Sequence, residues 1–111
     1  MAEQTKLFNA VGLAMRAGKC ASGAVAVEKL LQKGRVKLLI LDSSASDLMK
    51  KQYRDAANHH GLPLMEMEGA GAAIGKAERK VLAITDENFT KLITGAMASK
   101  EATTGVNVHG K

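Results

Sequence analysis

One cysteine, one proline and no tryptophan set the first limits on this 111-residue chain. A single thiol, Cys20, cannot form an intrachain disulfide, so a reducing compartment is the default. The aromatics are Phe8, Tyr53 and Phe89 alone. That is too few for the base-stacking platform of an RNA-recognition sheet or an OB barrel. Contacts to a nucleic acid would have to run through phosphates, backbone edges and loop geometry. No apolar run approaches the ~18–20 residues of a membrane span, and no membrane partner is expected. Met1 to Lys6 lack the basic-then-apolar order of a secretory signal, which makes a cytoplasmic location the expectation. What is present is globular: 46% of residues are apolar, enough at this length for one domain with a core of its own.

Charge is unevenly placed. Lys and Arg total 16 against 11 Asp and Glu, a net of +5. Residues 1–55 hold ten of the bases and five of the acids, while the rest is balanced, so the whole surplus lies in the first half. A one-sided basic excess favours a polyanionic partner. The plainer reading is a solvated basic face.

Periodicity gives the element order. Leu7, Phe8, Val11 and Met15 recur at helical spacing over residues 5–17, with Gly18 as a stop. A short extended connection follows at Cys20 and Ala21. A second helix runs from Gly23 to Lys33 and ends at Gly34. Val36 to Leu41, apolar except for Lys37, predicts a buried strand. Ser44 with Asp47 fits a capping box, with Ser46 as a rival cap, for a helix reaching His59. Leu62 to Met67 reads as a strand with Pro63 near its start. Gly69 to Ile74 reads as a short helix or turn, Lys80 to Ile84 as a strand, and Asp86 to Ala98 as a last helix. Residues 1–98 thus predict one domain, and 99–111 a loose tail. Alternating helices and strands imply an α/β fold with helices on both sheet faces.

Several motifs fail on spacing. Gly12 to Lys19 has five residues between its glycines and Cys20 where a phosphate-binding loop needs Ser or Thr, and it lies within a helical pattern. Gly69, Gly71 and Gly75 are one residue too widely spaced for the dinucleotide fingerprint, so close helix-to-sheet packing is their expected use. His59 and His60 are neighbours and point to different faces, whereas metal pairs on a helix sit three or four apart. No His lies near Cys20 in sequence, and no pair of acids stands out for acid/base work. The expectation is a chain without catalysis, metal or cofactor.

The basic residues at turns are the informative ones. Gly18 and Lys19 precede the second helix and Gly23 starts it. A helix start offers free backbone N–H groups and a positive dipole end to a phosphate. Lys29 lies four residues past Val25, on the same helix face. Residues 75–80 make a second basic loop containing Lys76, Arg79 and Lys80. If both loops lie at one sheet edge, they form a two-walled cationic cleft.

The order and spacing of these pieces resemble a known family. They are Ala17-Gly18-Lys19-x-x-Ser22-Gly23, Val27-x-Lys29, Lys33-Gly34-x-Val36-Lys37-Leu38-Leu39-Ile40, Gly71-x-Ala73-Ile74-Gly75-Lys76 and Val81-x-Ala83-Ile84-Thr85-Asp86. From about Phe8 to Leu92 the chain is similar to the L7Ae/L30e ribosomal proteins, and in its leading helix to their bacterial YlxQ-like branch. The resemblance implies an L30e-like fold, a three-layer α-β-α sandwich around a four-stranded mixed sheet. It also implies a non-catalytic partner of structured RNA, ribosomal or otherwise folded, typically kink-turns. In such relatives the second helix presents an Asn-Glu pair to sheared G·A pairs. Here those positions hold Val25 and Ala26, while Lys29 keeps the supporting lysine and Lys76, Ala77, Glu78 and Arg79 match the closing loop. Gly18, Lys19 and Gly23 complete the expected contact face, and Lys33, Arg35 and Lys37 would extend its footprint. The side chains of Val25 and Ala26 cannot hydrogen-bond purine edges, contacts worth ~1–3 kcal/mol each by analogy with DNA. A protein-interaction module on the same fold, with a ribosome-associated partner, is the alternative. A small-molecule enzyme would need a deep pocket with perturbed titrating groups.

Overall fold

The computed structural model describes residues 2–103. The elements are α1 (Ala2–Arg16), β1 (Cys20–Ser22), α2 (Ala24–Gln32), β2 (Leu38–Asp42), α3 (Asp47–His60), β3 (Leu64–Met67), α4 (Ala70–Ala73), β4 (Val81–Ile84) and α5 (Glu87–Thr103). The order is the one that periodicity predicts. The tail expected from Ser99 is helical as far as Thr103; residues 104–111 lie outside the described residues.

The four strands form one mixed sheet in the order β1-β4-β2-β3. β2 runs parallel to β3, and β4 is antiparallel to both β1 and β2. The two central strands are buried throughout, which is why they read as apolar runs instead of alternating. Their side chains nonetheless divide with period two. Leu38, Ile40, Leu82 and Ile84 pack with Leu7, Val11, Ala14 and Ile93 of α1 and α5. Leu39, Leu41, Val81 and Ala83 pack on the other face with Val27, Leu31, Tyr53 and Ala57 of α2 and α3. The result is a three-layer α-β-α sandwich, each buried Leu or Ile contributing about 1.5–3 kcal/mol.

Two local expectations change. The second strand begins at Leu38, not Val36, because α2 ends in a Schellman motif: Gly34 N–H bonds Leu31 O and Arg35 N–H bonds Leu30 O. Val36 is buried in the α2–α3 core ahead of the strand. At α3, Ser46 is the cap, its hydroxyl accepting from Met49 N–H at 3.1 Å, while Ser44 serves another network. Gly18, read as the stop for α1, and Gly61, which ends α3, sit in the same Schellman geometry as Gly34. Gly12, from the rejected phosphate-loop pattern, is an interior α1 residue where a Cβ would come within 2.9 Å of Ala73 O, so it lets α1 lie close on α4.

Candidate nucleic-acid interface

Strand pairing builds the site. β1 lies antiparallel to β4 with Ser22 opposite Leu82, and Gly23 N–H donates to Val81 O at 3.0 Å. The turn into α2 therefore stands beside the point where residues 75–80 enter β4. The adjacency that the sequence left conditional is present. Ser22, Gly23, Ala24, Val25, Ala26, Lys29 and Arg79 line one depression of about 350 Å³.

The α2 wall is mostly backbone. Gly23 caps the helix without a side-chain hydrogen bond, and the first turn carries no acid. The amides of Ala24, Val25 and Ala26 find no acceptor among the described residues, the usual state of a helix start. Their donors and the positive end of the helix dipole face the depression uncompensated. Gly23 has φ +89°, and a Cβ there would lie 2.5 Å from Arg79 Nη1. Val25 is 73% exposed on the lip. Lys29, also exposed, follows one turn along the same face.

The opposing wall is a loop held from beneath. Lys76 N–H bonds Gly71 O at 2.8 Å, and Arg79 N–H bonds Lys76 O at 2.9 Å. A Cβ at Gly71 would meet Arg79 O at 2.5 Å and Ala77 O at 3.1 Å. The Gly71 position is thus dictated by the crossing loop backbone, not by helix-to-sheet packing. Arg79 joins the walls: its Nη1 donates to Ser22 O at 3.0 Å, while its Nε donates to Glu78 Oε2 at 3.3 Å. Glu78 is held below the usual carboxylate range by its own backbone N–H and the Arg79 guanidinium. Lys76, Ala77 and Glu78 are exposed on the outer side of the loop.

Asp42 anchors this region, a role that sequence reasoning missed. It is buried at the end of β2. Its Oδ2 accepts from Ala70 N–H at 3.0 Å, and its Oδ1 accepts from Ser44 N–H at 2.9 Å and Ser44 O–H at 2.8 Å. Lys80 Nζ donates to Ser44 Oγ at 2.7 Å. Burial alone would raise this carboxyl; the Ser44 bonds, the Lys80 charge and the Ala70 amide outweigh it and hold it below its ordinary value. Asp42 left one usable signal in the sequence, an acid closing an otherwise apolar strand.

Other predicted residues lie elsewhere. Gly18 and Lys19 sit where β1 begins, opposite the end of β4: Thr85 N–H bonds Lys19 O at 3.0 Å. Arg35 and Lys37 lead into β2 at that same end, with Lys37 N–H bonding Ile84 O at 2.7 Å. These four are separated from the cleft by the length of the sheet and do not extend it. Lys33 continues the Lys29 face by one helical turn. Cys20 is half-buried, and burial pushes its thiol up to about 11, which opposes a thiolate nucleophile at neutral pH. Among the described residues no three His, Cys, Asp or Glu side chains gather into a metal site.

The sequence profile of the ribosomal protein L7Ae/L30e/S12e/Gadd45 family matches residues 5–94, both walls of the cleft included. The chain belongs to this L7Ae/L30e family. Within it, the chain is 38% identical over 91 residues to the RNA-binding protein YlxQ of Bacillus subtilis (strain 168), covering 78% of this chain and 91% of that one. It is 33% identical over 89 residues to the RNA-binding protein YlxQ of Enterococcus faecium, covering 78% and 85%. These place it in the YlxQ-like branch of the L7Ae/L30e family. Among solved structures, a protein of unknown function from Bacillus halodurans superposes with a TM-score of 0.77 at 32% identity, over 84% of this chain and 97% of that one. The Giardia lamblia 15.5kD RNA binding protein shares the fold, with a TM-score of 0.69 at 18% identity over 92% and 90%. No helix among the described residues is long and apolar enough to cross a membrane.

Proposed function

We propose that this protein is a non-catalytic, cytoplasmic RNA-binding protein that holds structured RNA in the cleft between the start of α2 and the loop before β4. One observation carries the reading: the unpartnered amides of Ala24, Val25 and Ala26 face the same depression as Arg79, with Lys29 beside them. Backbone donors at a helix start take phosphate oxygens without regard to the side chains above them, so Val25 and Ala26 leave that contact intact. The names of the YlxQ relatives support RNA as the ligand. Gly23, Lys29, Lys76 and Arg79 supply the phosphate side, and the apolar Val25 and Ala26 replace base readout with shape.

The test is a titration of labelled kink-turn RNA and a plain duplex at two salt concentrations. The expected result is binding to both with a modest kink-turn preference, and affinity falling steeply with salt. No binding to either at low salt ends the reading. A protein-interaction role is the second reading, favoured by the exposed Val25 lip and by Leu13 and Leu92, 46% and 49% exposed beside an apolar groove between α1 and α5. Capture of a protein partner that survives nuclease treatment would support it.

A further inference from the structure

Four of the predicted contact residues, Gly18, Lys19, Arg35 and Lys37, lie at the wrong end of the sheet for the cleft, and their arrangement there has its own logic. β1 and β2 both run antiparallel to β4, with Cys20 and Leu38 each opposite Ile84. The residues leading into them, Lys19 and Lys37, therefore flank the end of β4 on its two sides. Two strand spacings separate their backbones, about 10 Å. Arg35 stands two residues before Lys37. All three are exposed, and none of the three side chains has an ion-pair or hydrogen-bond partner among the described residues. Asp86 and Glu87, where α5 opens, are acids at this same end; Asp86 accepts from Phe89 N–H at 2.9 Å, and neither forms an ion pair with the three cations among the described residues.

Helix dipoles account for only part of this charge. α1, α2 and α3 all finish at this end, and cations stabilise a helix C-terminus only within its last turn. Lys19 and Arg35 follow the glycine stops directly, their amides bonded to Ala14 O and Leu30 O, and the dipoles of α1 and α2 favour them; Lys37 lies two residues further on. Three like charges left close together and unpaired repel one another, a cost that a polyanion would remove. Exposed, unpaired charges of one sign suit a phosphate backbone better than a protein groove. We propose that Lys19, Arg35 and Lys37 form a second RNA-backbone contact at the end of the sheet opposite the cleft, so that one molecule holds two RNA segments. This rests on the cleft being an RNA site.

The experiment immobilises kink-turn RNA, saturates it with protein and asks whether a fluorescent plain RNA duplex is captured. The parent is expected to capture duplex. Lys19→Glu/Arg35→Glu/Lys37→Glu is expected to bind the immobilised RNA like the parent and to lose roughly tenfold or more of the duplex capture, with the remainder less salt-dependent. The milder Lys19→Gln/Arg35→Gln/Lys37→Gln variant should fall between, and thermal melts monitor folding of each. A parent that saturates the surface and captures no duplex, or a charge-reversed variant that captures it undiminished, overturns the proposal and leaves the cleft reading standing. A parent that never reaches the immobilised RNA overturns both.

Discussion

The two ends of the sheet are both basic, yet they offer a ligand different things. At the end where β4 begins, a helix starts, so rigid backbone donors converge with one fixed guanidinium. At the end where β4 finishes, three helices stop, and their carbonyl ends carry the opposite dipole. The helix that starts there, α5, has its first amides covered by Asp86 and an acid, Glu87, in its first turn, so the free positive charge belongs to long side chains. The first end can fix the position of a phosphate; the second can only attract one. Net charge does not distinguish these cases, whereas the direction of the adjoining helices does.

The largest expected difference between the ends concerns glycine. Gly71→Ala places a methyl against loop carbonyls that cannot rotate away, and should cost about 2–3 kcal/mol and displace the cleft wall. Gly34→Ala, at φ +69° with nothing within 4 Å, should cost only about 1 kcal/mol of left-handed strain. Thermal melts of the two variants decide it; the reverse order would mean that the loop is not held as described.

Asp42→Asn comes next. It keeps one acceptor and loses the charge that holds Ser44 and Ala70, costing about 1–3 kcal/mol at neutral pH. The folded carboxyl lies below its ordinary value, so the unfolded chain binds the proton more readily. Its stabilisation is complete above that value and fades as pH falls through the folded pKa. Denaturant melts from pH 7 to pH 2 should show a loss in the parent that is shallower in Asp42→Asn. Parallel curves would mean that Asp42 is not the anchor.

Base readout should be recoverable. Val25→Asn with Ala26→Glu is expected to shift preference from duplex toward kink-turn RNA by about 1–2 kcal/mol, below the ~1–3 kcal/mol per contact of an optimised pair. No shift would place the divergence in residues 75–80. The smallest effect compares single lysines. Lys29→Glu should weaken binding of kink-turn RNA by about 1 kcal/mol, roughly fivefold, through a lost phosphate contact. Lys37→Glu, at the other end, should leave that affinity within error. Equal losses would erase the distinction between the ends.

Much of this was readable in the residues, for physical reasons that also explain the misses. The apolar runs at Leu38–Leu41 and Val81–Ile84 announce central strands, and Gly18, Gly34 and Gly61 announce helix stops. Both walls of the cleft were nameable because Gly23 and Arg79 lie at turns and Lys29 follows Val25 by one helical turn. Their meeting was not, because it depends on β1, three residues long, pairing with a strand some sixty positions away. For the same reason Lys19, only four residues before Gly23, seemed close to the cleft, whereas an intervening strand carries it to the other end. Ser44 and Ser46 are equivalent as caps by spacing, and only the long-range pull of Asp42 and Lys80 on Ser44 separates them.

The most direct measurement is a backbone amide NMR titration with kink-turn RNA at low protein excess. The first shifts are predicted at Gly23 to Lys29 and at Lys76 to Arg79, led by the amides of Ala24, Val25 and Ala26. Shifts confined to the α1–α5 groove around Leu13 and Leu92, with those amides unmoved, would contradict the cleft as the place where RNA is held.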